Sequence, residues 1–528
     1  MIIETLLAFT LASALLVFLV PDRYAGKLAT GLSVVPVVGS LWMWFEFTGD
    51  GNALLADGDV AFETTIEWFT LGLDTFEWTL QWHVGVDGAS LPLLVLTTIL
   101  TTLALVSSWT PIDTRQSQFY GLMLLMEASL IGVFVSLDFL LWFVFWEAVL
   151  IPMYFLIAVW GGPRRKYAAI KFLVYTNLAS LILFAGLFAL IFGLGDSIST
   201  LSFPEITQAL QDGQLGSFAG LSPENLRLFA FILLFVGFAV KVPIVPFHTW
   251  LPDAHVEAPT PVSVMLAGVL LKMGTYALLR FNFTMLPDVA QANAELIATI
   301  GVISVLYGAM LALAQRDLKR IVAYSSISSM GYVIIGLVAF SPHGMGGATF
   351  QMVSHGLISG LMFMAVGVIY NATHTRMVGD MAGLADRMPW TVGIFVAGAF
   401  GYMGLPLMSG FAAEVLIFIG AFDSAIPAAP LYTATAMFGI VVVASYLLWA
   451  MQRTLFGEFR IETDYEVGRA PVHDVAPMGV LLGLIILLGV QPDLVYETIQ
   501  NAVNPLNEYE PVAMITDSIL AVFGGELR

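Results

Sequence analysis

The chain has 528 residues, 58% of them hydrophobic and only 11% charged, whereas soluble domains carry about 25% charged residues. Mean hydropathy is +0.87, which makes lipid the expected solvent, and a net charge of -19 argues against nucleic acid as a partner. Cysteine is absent, which excludes iron–sulfur clusters, zinc thiolates and disulfides on this chain, and no strand-like run leads into a glycine-rich phosphate loop.

A bilayer core of about 30 Å takes about 20 apolar residues per helical crossing. Runs of that kind predict an all-α integral membrane protein of about fourteen transmembrane helices: 2–20, 28–48, 88–108, 117–136, 138–159, 168–194, 227–247, 260–281, 293–313, 320–340, 347–371, 390–420, 428–452 and 472–491. The first run carries Glu4 and no small-residue cleavage site before Pro21, so it reads as a membrane helix rather than a cleaved leader. The expected organisation is a three-helix segment with an acidic outer loop (1–108), two inverted five-helix repeats (117–281 and 293–452), and a last helix with a tail (472–528).

If the N-terminus faces outward, alternation puts Arg23, Lys27, Arg115, Arg164, Arg165, Lys166, Lys171, Arg316, Lys319, Arg320, Arg376, Arg387, Arg453, Arg460 and Arg469 on the cytoplasmic side. The outer side then holds only Arg227, Arg280 and Arg528, a strong positive-inside bias that places both termini outside. The outer loop 49–87 carries Asp50, Asp57, Asp59, Glu63, Glu67, Asp74, Glu77 and Asp87 with no lysine or arginine. Such loops suit hydration in high salt.

Charges at mid-bilayer cost about 2.5–3.5 kcal/mol each on insertion scales. Glu147 (FVFWEAVLIPMYFL), Lys241 (FVGFAVKVPIVPF), Lys272 (VMLAGVLLKMGTYALL) and Glu414 (GLPLMSGFAAEVLIF) all carry that cost. A structural ion pair between Glu147 and Lys241 is the plainer account of two of them. It does not account for ionisable groups on four separate helices, because buried pairs replaced by apolar residues often leave stability unchanged or improved. Proton transport does. A change in the spacing of Glu147 and Lys241 would switch the lysine's proton, which could pass to Lys272 through water or a histidine.

His355 lies inside a span (FQMVSHGLISG) and titrates near neutrality, which suits a relay, and His248 follows the break at Pro243. His248 and His255 are also explained as caps of a cytoplasmic helix end. Pro243 and Pro246 should break the seventh span, and Gly401, Gly404 and Pro406 the twelfth, five spans apart as an inverted repeat requires.

The run AVKVPIVPFHTWLPDAHVEAPTPVSVMLAGVLLKMGTYALLRF closely resembles the antiporter-like subunits of respiratory complex I, as do LKRIVAYSSISSMGYV and FWEAVLIPMYFLIAVWGG. The resemblance spans essentially all the expected helices and is greatest to the chain M group, the counterpart of mitochondrial subunit 4. Glu414 stands where that group has glutamate, while chains L and N and the cation/proton antiporter subunits typically have lysine. A chain ending at Arg528 is also expected to lack chain L's long lateral helix.

The resemblance implies a proton-translocating subunit in a prokaryotic cell membrane, with Glu147 and Lys241 as coupling pair, Lys272 as central relay and Glu414 as outer terminal site. His248 and His355 would lie on the hydrated axis. It further implies quinone and donor cofactors on partner subunits, none on this chain, and chains L and N with the smaller membrane subunits as partners. A sodium/proton antiporter, a membrane-bound hydrogenase subunit or a structural scaffold are the alternatives, and sodium is the alternative ion. In SISSMG, Ser329 stands where the family usually has histidine, so water, His355 or Tyr324 would have to bridge the gap.

Overall fold

The computed structural model describes residues 1–507 except 57, 74, 75, 463, 464 and 466. Asp57 and Asp74 of the acidic loop, and Arg528 with the tail beyond 507, lie outside the described residues.

The chain begins with α1 (Ile2–Leu19) and α2 (Asp22–Glu46), crosses a hairpin of β1 (Ala61–Leu73) and β2 (Phe76–Val86), and enters α3 (Leu91–Ser107) and α4 (Gln116–Val135). Next come α5 (Phe139–Ala148), α6 (Leu150–Trp160), α7 (Arg165–Leu194), a short α8 (Phe203–Gln211) and α9 (Pro223–Lys241). A run of α10 (Trp250–Glu257), α11 (Thr260–Met265), α12 (Leu271–Ala277) and α13 (Pro287–Ala292) leads to α14 (Ala294–Leu313), α15 (Leu318–Val338) and α16 (Pro342–Thr373). The chain closes with α17 (Pro389–Tyr402), α18 (Ser409–Phe422), α19 (Ala429–Thr454), α20 (Val472–Val490) and α21 (Asp493–Val503). Among the described residues, 12 helical segments are long and apolar enough to cross a membrane, and Leu91–Ser107 and Ser409–Phe422 are shorter apolar helices.

The hairpin departs from the all-α expectation. Thr64, Thr65, Ile66, Trp68, Phe69 and Thr70 are β-branched or aromatic and fit a pleated surface better than a helix. The strands pair antiparallel, with Thr64 opposite Val84 and Ile66 opposite Trp82. Leu137 N–H donates to the His83 carbonyl and Phe139 N–H to that of Leu201, so the hairpin, the start of α5 and the loop before α8 form one face, the hairpin end. The acidic loop is also less solvated than its composition suggests. Glu63 pairs with His83 at 2.8 Å. Asp87 is buried, where its carboxylate accepts from the amides of Ala53, Ala89 and Ser90 and pairs with Arg280. Burial alone would raise the Asp87 carboxyl, but the guanidinium and the amides together hold it below the usual carboxylate range.

The opposite face, the basic end, is tied by Arg376 to Asp317 at 2.6 Å and Lys171 to Asp253 at 2.8 Å. Asp317 also caps α15 by accepting from Lys319 and Arg320 N–H, as Asp138 caps α5.

The breaks have local causes. Pro152 has no N–H for the Ala148 carbonyl and its ring crowds that group, so the helix is interrupted at Val149. Pro243 and Pro246 end α9 at Lys241, and the chain turns through 242–249 before α10 resumes. The twelfth expected span divides into α17 and α18 around Gly404, whose φ of +61° favours glycine.

Burial separates centre from periphery. The apolar windows of 260–285 and α16 are 100% buried and that of α15 is 94%, against 39% for α1 and 28% for α2. The α14–α15 contact is close because glycines face each other. A Cβ on Gly331 would meet the Gly301 carbonyl and the Val305 backbone. Gly331→Leu should therefore push the helices apart and lower the amount of assembled subunit in membranes by immunoblot, whereas Gly331→Ala should cost less.

Candidate functional site

Lys241 ends α9 fully buried. Its Nζ lies 4.1 Å from the centroid of the Trp146 ring and 3.5 Å from the Trp146 carbonyl. It does not touch Glu147: no oxygen of that residue lies within 4 Å, although its charge is within electrostatic range. The expected coupling pair is therefore an open pair, with the lysine resting on the indole of Trp146 rather than on the carboxylate. Glu147 is half-buried at the Pro152 interruption, where Oε2 accepts a long 3.4 Å bond from Asn177 and Oε1 has no partner. An indole face stabilises a desolvated cation by about 2 kcal/mol, which offsets part of the cost of burying Lys241 without an ion pair.

Lys272 sits between two π-helical stretches, Leu266–Leu270 and Leu278–Met285. Widening the helix frees carbonyls from regular bonding, and Lys272 Nζ donates to one of them, Ala267 O, at 2.6 Å. Its second partner is His355 Nδ1 on α16 at 2.5 Å. Two full charges that close would repel by about 7 kcal/mol at an effective dielectric of 20. The pair therefore carries at most one positive charge. The backbone of α12 meets α9 at Gly274, whose Cβ position lies against Val242 and Lys241 main-chain atoms, so the Lys241 turn abuts the Lys272 helix directly.

Beyond His355, whose Nε2 has no partner, the Tyr402 ring stands 5.8 Å away edge-on. The Tyr402 hydroxyl lies near those of Ser326 and Ser359 without closing a regular hydrogen bond. Tyr446 follows, donating to Ser325 at 2.6 Å, and both Tyr446 and Tyr332 are within electrostatic range of Glu414. Glu414 is buried on α18 with Oε2 unpartnered against Gly404, in the gap between α17 and α18. Ser329 is buried on α15 and Tyr324 only half-buried. The aromatic ring beside His355 is that of Tyr402.

Toward the basic end, His255 is fully buried, stacked on Phe363 at 4.4 Å, with both ring nitrogens unpartnered. It lies in the last turn of α10 but makes no capping hydrogen bond there. Its ring feels the charges of Lys319 and Lys272. Lys319 donates to the Ala258 carbonyl at 2.5 Å and lines a cavity of about 760 Å³ with Glu257, Asp317, His374 and Arg376. His248 is buried, 5.6 Å from the Tyr307 ring, and its Nδ1 is unpartnered. Glu127 on α4 is completely buried with neither oxygen bonded. His255, Tyr402 and Glu127 are absent from the sequence-based set. Only Glu127 carries an obvious signal, an acid within the apolar run LLMEASLIG.

Replacing Trp146 tests the indole's part. Trp146→Leu should leave the Lys241 ammonium without its ring contact and lower the amount of folded chain in membranes several-fold by immunoblot, and Trp146→Phe, which keeps a ring face, should lose less.

The family described as NADH:quinone oxidoreductase/Mrp antiporter, TM, matches residues 136–442. The chain is 37% identical over 515 residues to an NAD(P)H-quinone oxidoreductase chain 4 of Nostoc sp., covering 94% of this chain and 89% of that relative. A chain 4 of Trichormus variabilis is 38% identical over 512 residues, with the same coverage of 94% and 89%. In fold it is similar to a chain of respiratory complex I from Thermus thermophilus, with TM-score 0.82, 24% identity and coverage of 96% and 99%. It is similar as well to a chain of the Mrp complex from Dietzia sp., with TM-score 0.79, 20% identity and coverage of 96% and 98%.

Proposed function

The chain belongs to the NADH:quinone oxidoreductase/Mrp antiporter transmembrane family, and from that membership we propose that it is the proton-translocating membrane subunit of a quinone-reducing, complex I-type oxidoreductase, in the position of chain 4 or chain M. The observation that carries this reading is the contact between Lys272 and His355 in the buried centre of the helix bundle. A structural role needs no such contact, since apolar side chains would pack there at lower cost.

In this reading fourteen spans form two inverted repeats with both termini outside, in a prokaryotic cell membrane. The cavity at Lys319 faces the cytoplasm and Glu414 the outer side. Electrons stay on partner subunits, which hold the donor and quinone sites, and this chain binds no cofactor; chains L and N are its neighbours. Lys241 lies within reach of two alternatives on adjacent residues, the Trp146 face and the Glu147 carboxylate. Charge movement along the membrane arm draws Lys241 from one to the other. The altered field at Lys272 then drives its proton onto His355 and along Tyr402, with water joining the hydroxyls, to Glu414. His248 keeps the turn after Lys241 polar.

The likeness in fold to the Mrp chain favours, as second reading, a subunit of a multi-chain sodium/proton antiporter. The chain 4 relatives, aligned over nearly the whole chain, and a glutamate at 414 rather than the antiporters' lysine weigh against it.

Reconstituted whole complex tests the proposal. Lys272→Ala and Glu414→Gln should leave the subunit assembled and reduce protons translocated per electron pair by at least the share of one channel. Full stoichiometry in both variants would sink it, and sodium uptake replacing proton uptake would favour the second reading. Tyr402→Phe, which removes only a hydroxyl, should slow translocation less than His355→Ala, measured as the initial rate of internal acidification.

A further inference from the structure

A second polar column leaves Lys272, toward the hairpin end rather than toward Glu414. Tyr276, Arg280 and Thr284 recur at four-residue steps after Lys272, and all are buried. Thr284 and Asn52 line a cavity of about 360 Å³ among the loops of the hairpin end, which Gln208 and Gln211 also border. At 1.5 Å per residue, Arg280 stands about 12 Å along the axis from Lys272. A hydroxyl, a guanidinium and an amide thus mark a polar route from the central lysine toward that surface.

One fixed cation interrupts it. The Arg280 guanidinium lies 5.0 Å from the Tyr276 ring centroid, donates to Asn52 Oδ1 at 2.8 Å and pairs with Asp87 at 2.5 Å. Asp87 itself is held at the start of α3 by backbone amides of Ala53, Ala89 and Ser90. The pair therefore has an orientation: the cation meets Tyr276 and the anion is fastened among the loops. A proton moving outward from Lys272 meets the positive end first. Arginine stays charged at any physiological pH and offers no site to receive a proton.

Resting on the transport reading above, we infer that Arg280, anchored by Asp87, is a fixed-charge barrier that denies the Lys272 proton direct exit to the hairpin face and turns it toward His355. Arg280 is a positioning residue, acting on the path without carrying the proton. Fixed cations bar protons and other cations from narrow pores by the same electrostatics. Without the barrier the same column becomes a leak, and an energy converter with a leak beside its central site dissipates the gradient it makes.

The test reads passive proton leak in proteoliposomes of the whole complex, without electron donor, after an external acid pulse. Asp87→Asn combined with Arg280→Gln leaves two amides in place of two charges, so no unpaired charge is buried. This variant should leak several-fold faster than the parent, the order expected when a proton beside the Tyr276 ring, 5.0 Å from the guanidinium, no longer meets the positive end of the ion pair at an effective dielectric of about 20. Arg280→Lys, which keeps the charge, should stay close to the parent. Adding Lys272→Met to the leaky variant should abolish the extra leak, because the path starts there. A tight double variant overturns the inference, and so does a leak that survives Lys272→Met or appears equally in Arg280→Lys. If the double variant does not assemble, Arg280→Gln alone serves, since an unpaired Asp87 can then take the proton, and tightness there has the same consequence. Pumping that persists in Lys272→Met alone would instead refute the transport reading, whatever the leak.

Discussion

An ammonium group at the centre of a bilayer must be solvated by protein, and the arrangement around Lys272 follows from that demand. A regular α-helix has no carbonyl to spare, since each accepts from the amide four residues on. The π-helical stretch before Lys272 disrupts that pattern and presents the Ala267 oxygen to Nζ. The remaining solvation comes from another helix, through His355. Such a group cannot face lipid, so the helices that carry it must lie innermost, and 260–285, α15 and α16 are the most completely buried segments of the bundle. The peripheral helices are half-exposed and apolar because their task is to separate this centre from lipid.

Lys241 meets the same demand differently. Its cation rests on an indole face beside a carboxylate it does not touch. A closed ion pair in low dielectric would be deep and slow to open. An aromatic face worth about 2 kcal/mol leaves the lysine free to move. The Pro152 interruption adds to this, because Glu147 stands where the helix has lost a main-chain bond and its carboxylate is only loosely held by Asn177.

What the sequence disclosed and what it hid divide along physical lines. Spans, breaks and intramembrane charges were legible, because a run of apolar residues, a proline and a lysine among leucines each act locally. The strands at 61–86 follow from residue type as well, but the alternation is blurred by bulges between Ala61 and Thr64 and between Glu67 and Phe69. Partners were not legible. Nothing near Lys241 in sequence indicates that Trp146 rather than Glu147 receives its ammonium. Tyr402, amid GAFGYMG, looks like an ordinary membrane aromatic. It becomes part of the seam only because α17 breaks at Gly404 and ends beside His355. Asp87, one acid among many in its loop, is set apart by its burial, its bonds to backbone amides and its pairing with Arg280.

The serine at 329 shows why partner identity matters more than residue inventory. A histidine there would supply a proton site on α15, and its absence lengthens the step between His355 and Glu414. The hydroxyls of Ser325, Ser326, Ser359, Tyr402 and Tyr446 occupy that interval, and hydroxyls differ from imidazoles in one respect: they pass protons without storing them at neutral pH. Under the proposed function, a proton in this stretch would therefore reside at one end or the other, on the Lys272–His355 pair or on Glu414. Two storage sites joined by a conducting segment suit coupling better than a ladder of many sites, since the field of one displaced charge has only a single transfer to bias. It also makes the ends sensitive to stray exits, and fixed cations or buried rings beside them, such as Arg280 and His255, are where the chain would need to control direction.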